Sequence, residues 1–272
     1  MENDCSNSVS VRPPADPGTA WPELRPLSLR LVILSRSRAR TMTSHKLFPS
    51  ATLVVPESET ADYAAIPLPE RTTIPDSVTG VSAVRNWILP HFQEDAVVML
   101  DDDITACICM VSLRCRKLSP EETLAMITNT AWCARGAGAR LFGWHQRSDP
   151  RLLQRNDPFG VNHWVGGAVG VVRDEAGGVP KWDELLKCKC DIDATLQELL
   201  DNRLVWNEAR FCFVQDRDKN LGGNSLFRTA DRIATEKRHL KRKWKAHIRF
   251  EDYKSQERVA IDAPRRQSLS LP

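Results

Sequence analysis

No stretch of the 272-residue chain keeps an apolar run near the roughly 20 residues that a membrane-spanning helix needs. No basic-then-apolar amino-terminal signal is visible either, so the expected setting is the cytoplasm, with no membrane partner. CxxC pairs are missing from the eight cysteines. Two CxC pairs, Cys107/Cys109 and Cys188/Cys190, lack the spacing of a zinc site and read as buried or idle thiols. The chain is also far longer than the small secreted scaffolds that depend on disulfides, which points to free thiols. Charge of one sign is lacking overall, at net +3, but the segment from Arg232 to Arg249 is strongly basic. With 42% apolar and 27% charged residues, the composition is that of a globular chain able to bury a sizeable core.

Residues 1–25 are rich in Ser, Pro, Asp and Asn and are expected to form a disordered leader. Leu27 to Leu34 reads as a first strand, which opens into Arg36, Arg38 and Arg40 at alternate positions. Guanidinium groups there suit a phosphorylated ligand, and a solvated basic loop is the plain alternative. A short helix over Thr41–Leu47 and a strand over Ala51–Val55 would complete a βαβ unit and imply a parallel sheet. After a Pro-rich passage comes a helix, Val81 to Leu89, which carries Arg85 and Asn86 and is stopped by Pro90.

That helix leads into Ala96-Val97-Val98-Met99-Leu100-Asp101-Asp102-Asp103-Ile104. Five consecutive apolar residues predict a strand buried on both faces, and it ends in three carboxylates, where open α/β sheets bind their ligands. Alternation along a strand lets Asp101 and Asp103 point one way and Asp102 the other. Converging carboxylates repel unless a cation lies between them, and Mg²⁺ or Mn²⁺ prefers such oxygen donors. An acidic turn, for which Asp is well suited, is the plain alternative.

Ser119-Pro120-Glu121-Glu122 is a capping box, followed by an apolar face of Leu124, Ile127, Ala131 and Ala134 and a stop at Gly136. Residues 140–163 look irregular and aromatic. A strand interrupted by Gly166, Gly167 and Gly170 follows over Trp164–Val172, and such glycines mark a bulge or the close approach of a ligand. Asp191-Ile192-Asp193 opens a helix that turns Leu196, Leu199 and Leu200 inward, and carboxylates in a first turn also suit the helix dipole. Phe211–Val214 is a short strand. The loop Gly222-Gly223-Asn224-Ser225 can offer backbone N–H groups to an anion, and a basic helix runs from about Ala230 to Ala246. Residues 251–272 are polar and expected to be disordered.

A parallel αβ sheet with an Asp-x-Asp strand end resembles the GT-A class of nucleotide-sugar glycosyltransferases. The strings Ile74-Pro75-Asp76-Ser77-Val78, Val84-Arg85-Asn86-Trp87-Ile88, Leu100-Asp101-Asp102-Asp103-Ile104 and Gly222-Gly223-Asn224-Ser225 before Arg228-Thr229 resemble the TET-associated glycosyltransferases, mainly bacteriophage enzymes. The similarity spans roughly Leu27 to Ile248. It implies an α/β fold of GT-A type, a single domain over 26–250 with a Rossmann-like mixed sheet flanked by helices and a DxD motif at a strand end. It implies transfer of a sugar from a nucleotide-sugar, UDP-glucose-like donor to the hydroxyl of a hydroxymethylated pyrimidine such as hydroxymethylcytosine in phage DNA, within the host cytoplasm.

On that resemblance Asp101 and Asp103 hold Mn²⁺ or Mg²⁺, and Asp102 is a ligand partner or meets the donor ribose or sugar. Arg36, Arg38 and Arg85 meet the nucleotide or its diphosphate, and Asn86 orients the donor. Gly166 and Gly167 let the sugar approach, and Gly222 and Gly223 belong to the anion loop. Asp191 and Asp193 are the candidates for the base that deprotonates the acceptor, with Asp191 preferred. A late histidine, His239 or His247, is available to the metal, but a surface role is favoured for both. The basic segment 232–249, through Lys237, Arg238, Lys241, Arg242, Lys243 and Lys245, offers DNA phosphates a partner. Trp144, Phe159 and Trp164 could stack on an extruded base or simply pack in the core. A GT-A transferase with a non-DNA acceptor, a silent nucleic-acid-binding module and a metal-dependent phosphoryl-transfer enzyme are the alternatives.

Overall fold

The structure, a computed structural model, describes residues 25–111, 114–146, 148–149, 153, 157–216, 223, 227–253 and 256–263. The expected leader up to residue 24, Gly222 and the end of the chain from residue 264 lie outside the described residues.

The first strand, β1 (Leu29–Leu34), pairs in parallel with β2 (Thr52–Pro56), as the sequence predicted. Their connection holds one 3-10 turn, Ser44–Lys46, where a short helix over Thr41–Leu47 was expected. A third parallel strand, β3 (Glu70–Ile74), lies in the Pro-rich passage and was not foreseen, since Glu-Arg-Thr-Thr has no apolar alternation. Helix α1 (Val81–His91) takes Pro90 into its last turn instead of stopping before it.

Next comes β4 (Ala96–Asp101), parallel to β1 and buried on both faces as read. Ala96, Val98 and Leu100 enter one core cluster, and Val97 and Met99 enter the other. The chain turns through Asp102–Asp103 into β5 (Ile104–Val111) and β6 (Arg114–Lys117), two strands the sequence reading missed. Cys107 and Cys109 sit in β5 as buried thiols.

Helix α2 (Pro120–Ala137) carries the predicted capping box. Its stop is Gly138, left-handed at φ 77°, and not Gly136. The buried face uses Met126, Ile127, Ala131 and Ala134, and Leu124 is exposed. The segment expected to be irregular contains β7 (Leu141–His145), a central strand whose Phe142 and Trp144 fill the core. A two-residue strand, β8 (Phe159–Gly160), follows, and then β9 (Val169–Val172), which is shorter than expected because Gly166 and Gly167 lie in the loop before it.

Helix α3 (Cys190–Asp201) starts where Asp191 and Asp193 predicted, with Leu196 and Leu199 buried. Strand β10 (Trp206–Gln215) extends well before the expected Phe211. Helix α4 (Ala230–Trp244) is the basic helix. Beyond it the chain was expected to lose order at residue 251, yet β11 (Ile248–Tyr253) and β12 (Gln256–Ile261) form an antiparallel hairpin. Ile248, Phe250, Val259 and Ile261 pack it onto the second core cluster.

The large sheet runs β3-β2-β1-β4-β9-β7-β10-β5-β6, with β8 on β10. Its pairing is mixed, parallel from β3 to β4 and antiparallel at β9. The α/β class and Rossmann-like mixed sheet expected from the sequence are therefore present. Helix α2 covers one face, and α1, α3 and α4 cover the other. The chain leaves β1 toward β2 on one side and returns as β4 on the other. The crevice beyond the carboxyl ends of β1 and β4 is thus a topological switch point, where such sheets bind ligands.

Candidate active site

At that switch point lies a cleft of about 390 Å³. Because β1 and β4 are parallel neighbours with Leu34 opposite Asp101, the residues after each strand emerge side by side. Ser35, Arg36 and Arg38 come from one strand end and Asp101, Asp102 and Asp103 from the other, and all six line the cleft. Arg85 enters from α1, Asp191 from the first turn of α3, and Gly167 and Gly223 from loops.

The acidic turn is held rigidly. The Ser44 hydroxyl donates to the Asp101 carbonyl at 2.6 Å, and the backbone N–H of Thr43 donates to the Asp102 carbonyl at 3.0 Å. Asp102 is nearly buried, receives Arg38 Nη1 at 2.9 Å on one oxygen and the Ser35 hydroxyl at 2.6 Å on the other. Since Ser35 gives its only proton to Asp102, the Tyr63 hydroxyl 2.7 Å away donates to Ser35. Tyr63 also accepts the Arg38 N–H at 3.0 Å. Strand alternation does not sort the three carboxylates as expected, because β4 ends at Asp101 and the other two lie in the turn. Arg38 spans both of these, reaching Asp103 at 3.6 Å.

Burial pushes the Asp101 carboxyl up to about 7, the charges of Asp103, Asp191 and Asp102 add to the rise, and Arg85 opposes it. Gln215 donates to Asp101 at 3.1 Å. Among the described residues no three histidine, cysteine or acidic side chains converge as a ready-made metal cage. A hard cation such as Mg²⁺ commonly takes only one or two protein carboxylates and completes its shell with substrate phosphates and water. Asp101 and Asp103 match that donor set, and a cation there would offset both the burial of the Asp101 charge and the carboxylate repulsion that adds to its rise.

Asp191 forms an ion pair with Arg85, whose side chain is buried beneath it and lies over the Trp182 ring, 5.5 Å from its centroid. Gly166 does not line this cleft. A Cβ there would meet the Asp191 carboxylate at 2.8 Å and the Trp164 ring at 2.7 Å, so the glycine makes room for both. Gly167, at φ 73°, does line the cleft, and so does Gly223, whose N–H donates to the Arg36 carbonyl at 3.1 Å.

Other expected site residues serve the scaffold. Asp193 is fully buried and accepts Lys243 at 2.9 Å, Trp244 Nε1 at 2.7 Å and Gln197 at 2.7 Å, which leaves it no route to an acceptor hydroxyl. Asn86 clasps the backbone of Trp182, its amide NH₂ donating to the Trp182 carbonyl and its amide oxygen accepting the Trp182 N–H, at 2.9 Å each, and is absent from the cleft wall. The Arg36 guanidinium holds the loop before α1 by donating to the Val78 carbonyl at 3.1 Å. His239 faces Asp183, and His247 donates to the Asp262 carbonyl, both away from the cleft. Trp144 is a core residue, and Phe159 stacks on Trp206, centroids 4.4 Å apart, while Trp164 lines the cleft half-exposed.

Sequence reasoning missed Ser35, Tyr63, Lys189 and Cys190. Ser35 was findable as the residue at the end of β1. Tyr63 sits in a loop without any pattern to mark it.

No protein-family model matches the chain, and no curated protein matches it. Solved structures do resemble it. One, described as a mycobacterial protein, superposes with a TM-score of 0.50 at 11% identity over 87% of this chain and 84% of that one. S. aureus TarS 1-349 in complex with UDP-GlcNAc gives 0.47 at 12% identity over 73% of this chain and 61% of that one. Glucosyl-3-phosphoglycerate synthase from Mycobacterium tuberculosis, in complex with Mn²⁺, UDP and phosphoglyceric acid, gives 0.45 at 13% identity over 87% of each chain. At such identities the likeness is one of fold.

Proposed function

We propose that the chain is a metal-dependent glycosyltransferase of GT-A type, which moves a sugar from a nucleotide-sugar donor, UDP-linked, to an acceptor hydroxyl. The observation that carries this reading is the meeting of Asp101–Asp103, Arg38 and the Arg85–Asp191 pair in one cleft at the switch point of the sheet.

The chemistry follows from the residues. Breaking the sugar–diphosphate bond develops negative charge on the leaving phosphate. A divalent ion held by Asp101 and Asp103 would supply a Lewis acid for that charge. Arg38, fixed by Asp102 and Tyr63, is already oriented toward the same space, so little reorganisation is needed as charge builds. Asp191, half-buried against Arg85, is the carboxylate placed to take the proton of an acceptor hydroxyl entering past Trp164.

For the acceptor we propose a hydroxymethylated pyrimidine in DNA. The basic helix α4 and the half-exposed Trp164 ring at the cleft support it, the former as a phosphate partner and the latter as a stacking surface for an extruded base.

Thermal melting against a panel of nucleotide sugars, with and without Mn²⁺, tests the reading. A ligand at about one hundred times its Kd stabilises by about 2.7 kcal/mol, which is readily seen. A metal-dependent shift with a uridine-linked sugar is expected. No shift with any donor would overturn the transferase reading in favour of a silent nucleic-acid-binding module.

A further inference from the structure

Strand β10 does not keep its register to the end. Val214 stands opposite Ala106 of β5, but Gln215 stands opposite Ile104, so Thr105 is passed over in a β-bulge. Thr105 is exposed, and its hydroxyl donates to the Val214 carbonyl at 3.2 Å. Bulges beside a site commonly re-aim a side chain. This one brings Gln215 level with the first residue after the acidic turn. Its Nε2 donates to Oδ2 of Asp101 at 3.1 Å, and the backbone N–H of Asp216 donates to the Asp103 carbonyl at 3.1 Å. Two consecutive residues of β10 therefore hold the two ends of the turn.

Gln215 is packed where it makes that contact. It lines a niche of only about 10 Å³ together with Trp144, Gln146, Gly166 and Phe213, room for no more than one water molecule. An amide confined in this way keeps its N–H on one oxygen of Asp101.

Which oxygens a carboxylate offers decides which cation it suits. Ca²⁺ takes roughly six to eight oxygens and accepts a carboxylate through one or both of its atoms, whereas Mg²⁺ demands a near-ideal octahedron. Mn²⁺ shares that octahedral preference. Two oxygens of one carboxylate lie too close together to fill neighbouring corners of an octahedron. An N–H aimed at Oδ2 also puts its positive end where a second metal–oxygen bond would have to form. Arg38, 3.6 Å from Oδ2 of Asp103, acts in the same sense on the other carboxylate.

We infer that Gln215 is a specificity-determining residue for the metal: by engaging Oδ2 it confines Asp101 to coordination through one oxygen and selects Mg²⁺ or Mn²⁺ over Ca²⁺. It acts through Asp101 and meets neither donor nor acceptor itself. The inference rests on the metal-dependent reading above and deepens it.

Calorimetric titration of the full chain with Mn²⁺ and separately with Ca²⁺, UDP present throughout and measured over a UDP-only blank, tests it. The wild-type chain should bind Mn²⁺ more tightly than Ca²⁺. Gln215→Met keeps the bulk of the side chain but has no N–H. It should lower Mn²⁺ affinity by about 10–100-fold, the usual effect of removing a group that orients a metal ligand. Ca²⁺ affinity should hold or rise, because Asp101 can then offer both oxygens. Gln215→Asn, one methylene too short to reach Asp101, should shift the ratio of the two affinities the same way, and it carries the test if Gln215→Met melts lower without metal. An equal loss of both ions in the two variants would show that Gln215 only steadies the turn, and that result or an unchanged ratio would overturn the inference. Mn²⁺ binding that Asp101→Asn abolishes upholds the metal reading whatever the Gln215 variants do. No Mn²⁺ binding by the wild-type chain removes that reading, and this inference with it.

Discussion

Asp193 gives its carboxylate to the indole N–H of Trp244 at 2.7 Å, so one of two neighbouring acids at the start of α3 is committed to the junction with α4. Asp191, two residues earlier, faces the cleft and Arg85. Their replacements should therefore fail in different ways. Asp191→Asn keeps an oxygen for the buried Arg85 but removes the charge that faces it, so it should lower the melting temperature and, in the enzyme that remains folded, lower turnover by about 10²–10⁴, the usual contribution of a positioned base. Asp193→Ala leaves the Lys243 and Trp244 donors without their buried partner and should cost about 3 kcal/mol or more of stability, seen in chemical denaturation. A stable but inactive Asp193→Ala protein would reverse the assignment.

Asp101 links metal binding to pH. In the metal-free protein the folded chain holds this proton up to about pH 7, whereas an unfolded Asp releases it near its ordinary 3.8. Between those values the folded state binds more protons, so this group's contribution to stability falls as pH rises. Metal-free melts at about pH 5 and about pH 8 should show that decline, and Asp101→Asn should flatten it. A cation must displace the same proton, so Mn²⁺ affinity should strengthen as pH rises through about 7 and be lost in Asp101→Asn, as calorimetric titration would read.

Much of the site was legible because chemistry and periodicity coincide in short windows. The apolar run into Asp101 declared a buried strand with its carboxyl end exposed, and the arginines after Leu34 declared a second. Their adjacency followed only if the sheet was parallel. What was not legible needed tertiary context. Asp191 and Asp193 share a helical turn in sequence, and only the arrival of Lys243 and Trp244 from α4 separates base candidate from scaffold. Asn86 sits beside Arg85, yet one helical step turns it from the cleft onto the Trp182 backbone. Strand β5 was hidden because it follows an acidic turn that also suits a loop. Among the described side chains of the β11–β12 hairpin, Ile248, Phe250, Val259 and Ile261 turn inward at alternate positions, and charged neighbours such as Arg249 and Glu251 mask that alternation in the sequence.

Tyr63 is the clearest residue without a sequence signal. Its hydroxyl donates to Ser35 and accepts from the Arg38 backbone, and through these contacts it fixes Asp102 and the arginine together. Tyr63→Phe leaves a buried N–H and a serine oxygen short of partners, at about 1–3 kcal/mol. The expected kinetic signature is a raised KM for the donor with a smaller change in kcat, since Arg38 would be less well held while Asp191 is untouched. An unchanged donor KM would show that Arg38 is positioned by Asp102 alone.

Helix α3 has no side-chain cap of its own, and Glu236 supplies one from α4. Its carboxylate accepts the N–H groups of Lys187, Cys188 and Lys189 at 2.8, 2.9 and 3.0 Å, the three residues that lead into Cys190 and Asp191. A buried acceptor with three donors cannot be removed without orphaning them, so Glu236→Ala should destabilise by on the order of 3 kcal/mol. Glu236→Gln keeps one carbonyl oxygen but turns an amide against an N–H, and should fold with a smaller loss. In that variant the segment before Asp191 is less well held, so turnover should fall more than donor binding does. Matched measurements of the nucleotide-sugar melting shift and of kcat distinguish this from plain instability, which would reduce both together. If Glu236→Gln binds donor normally and turns over normally, the cap stabilises α3 without positioning the base.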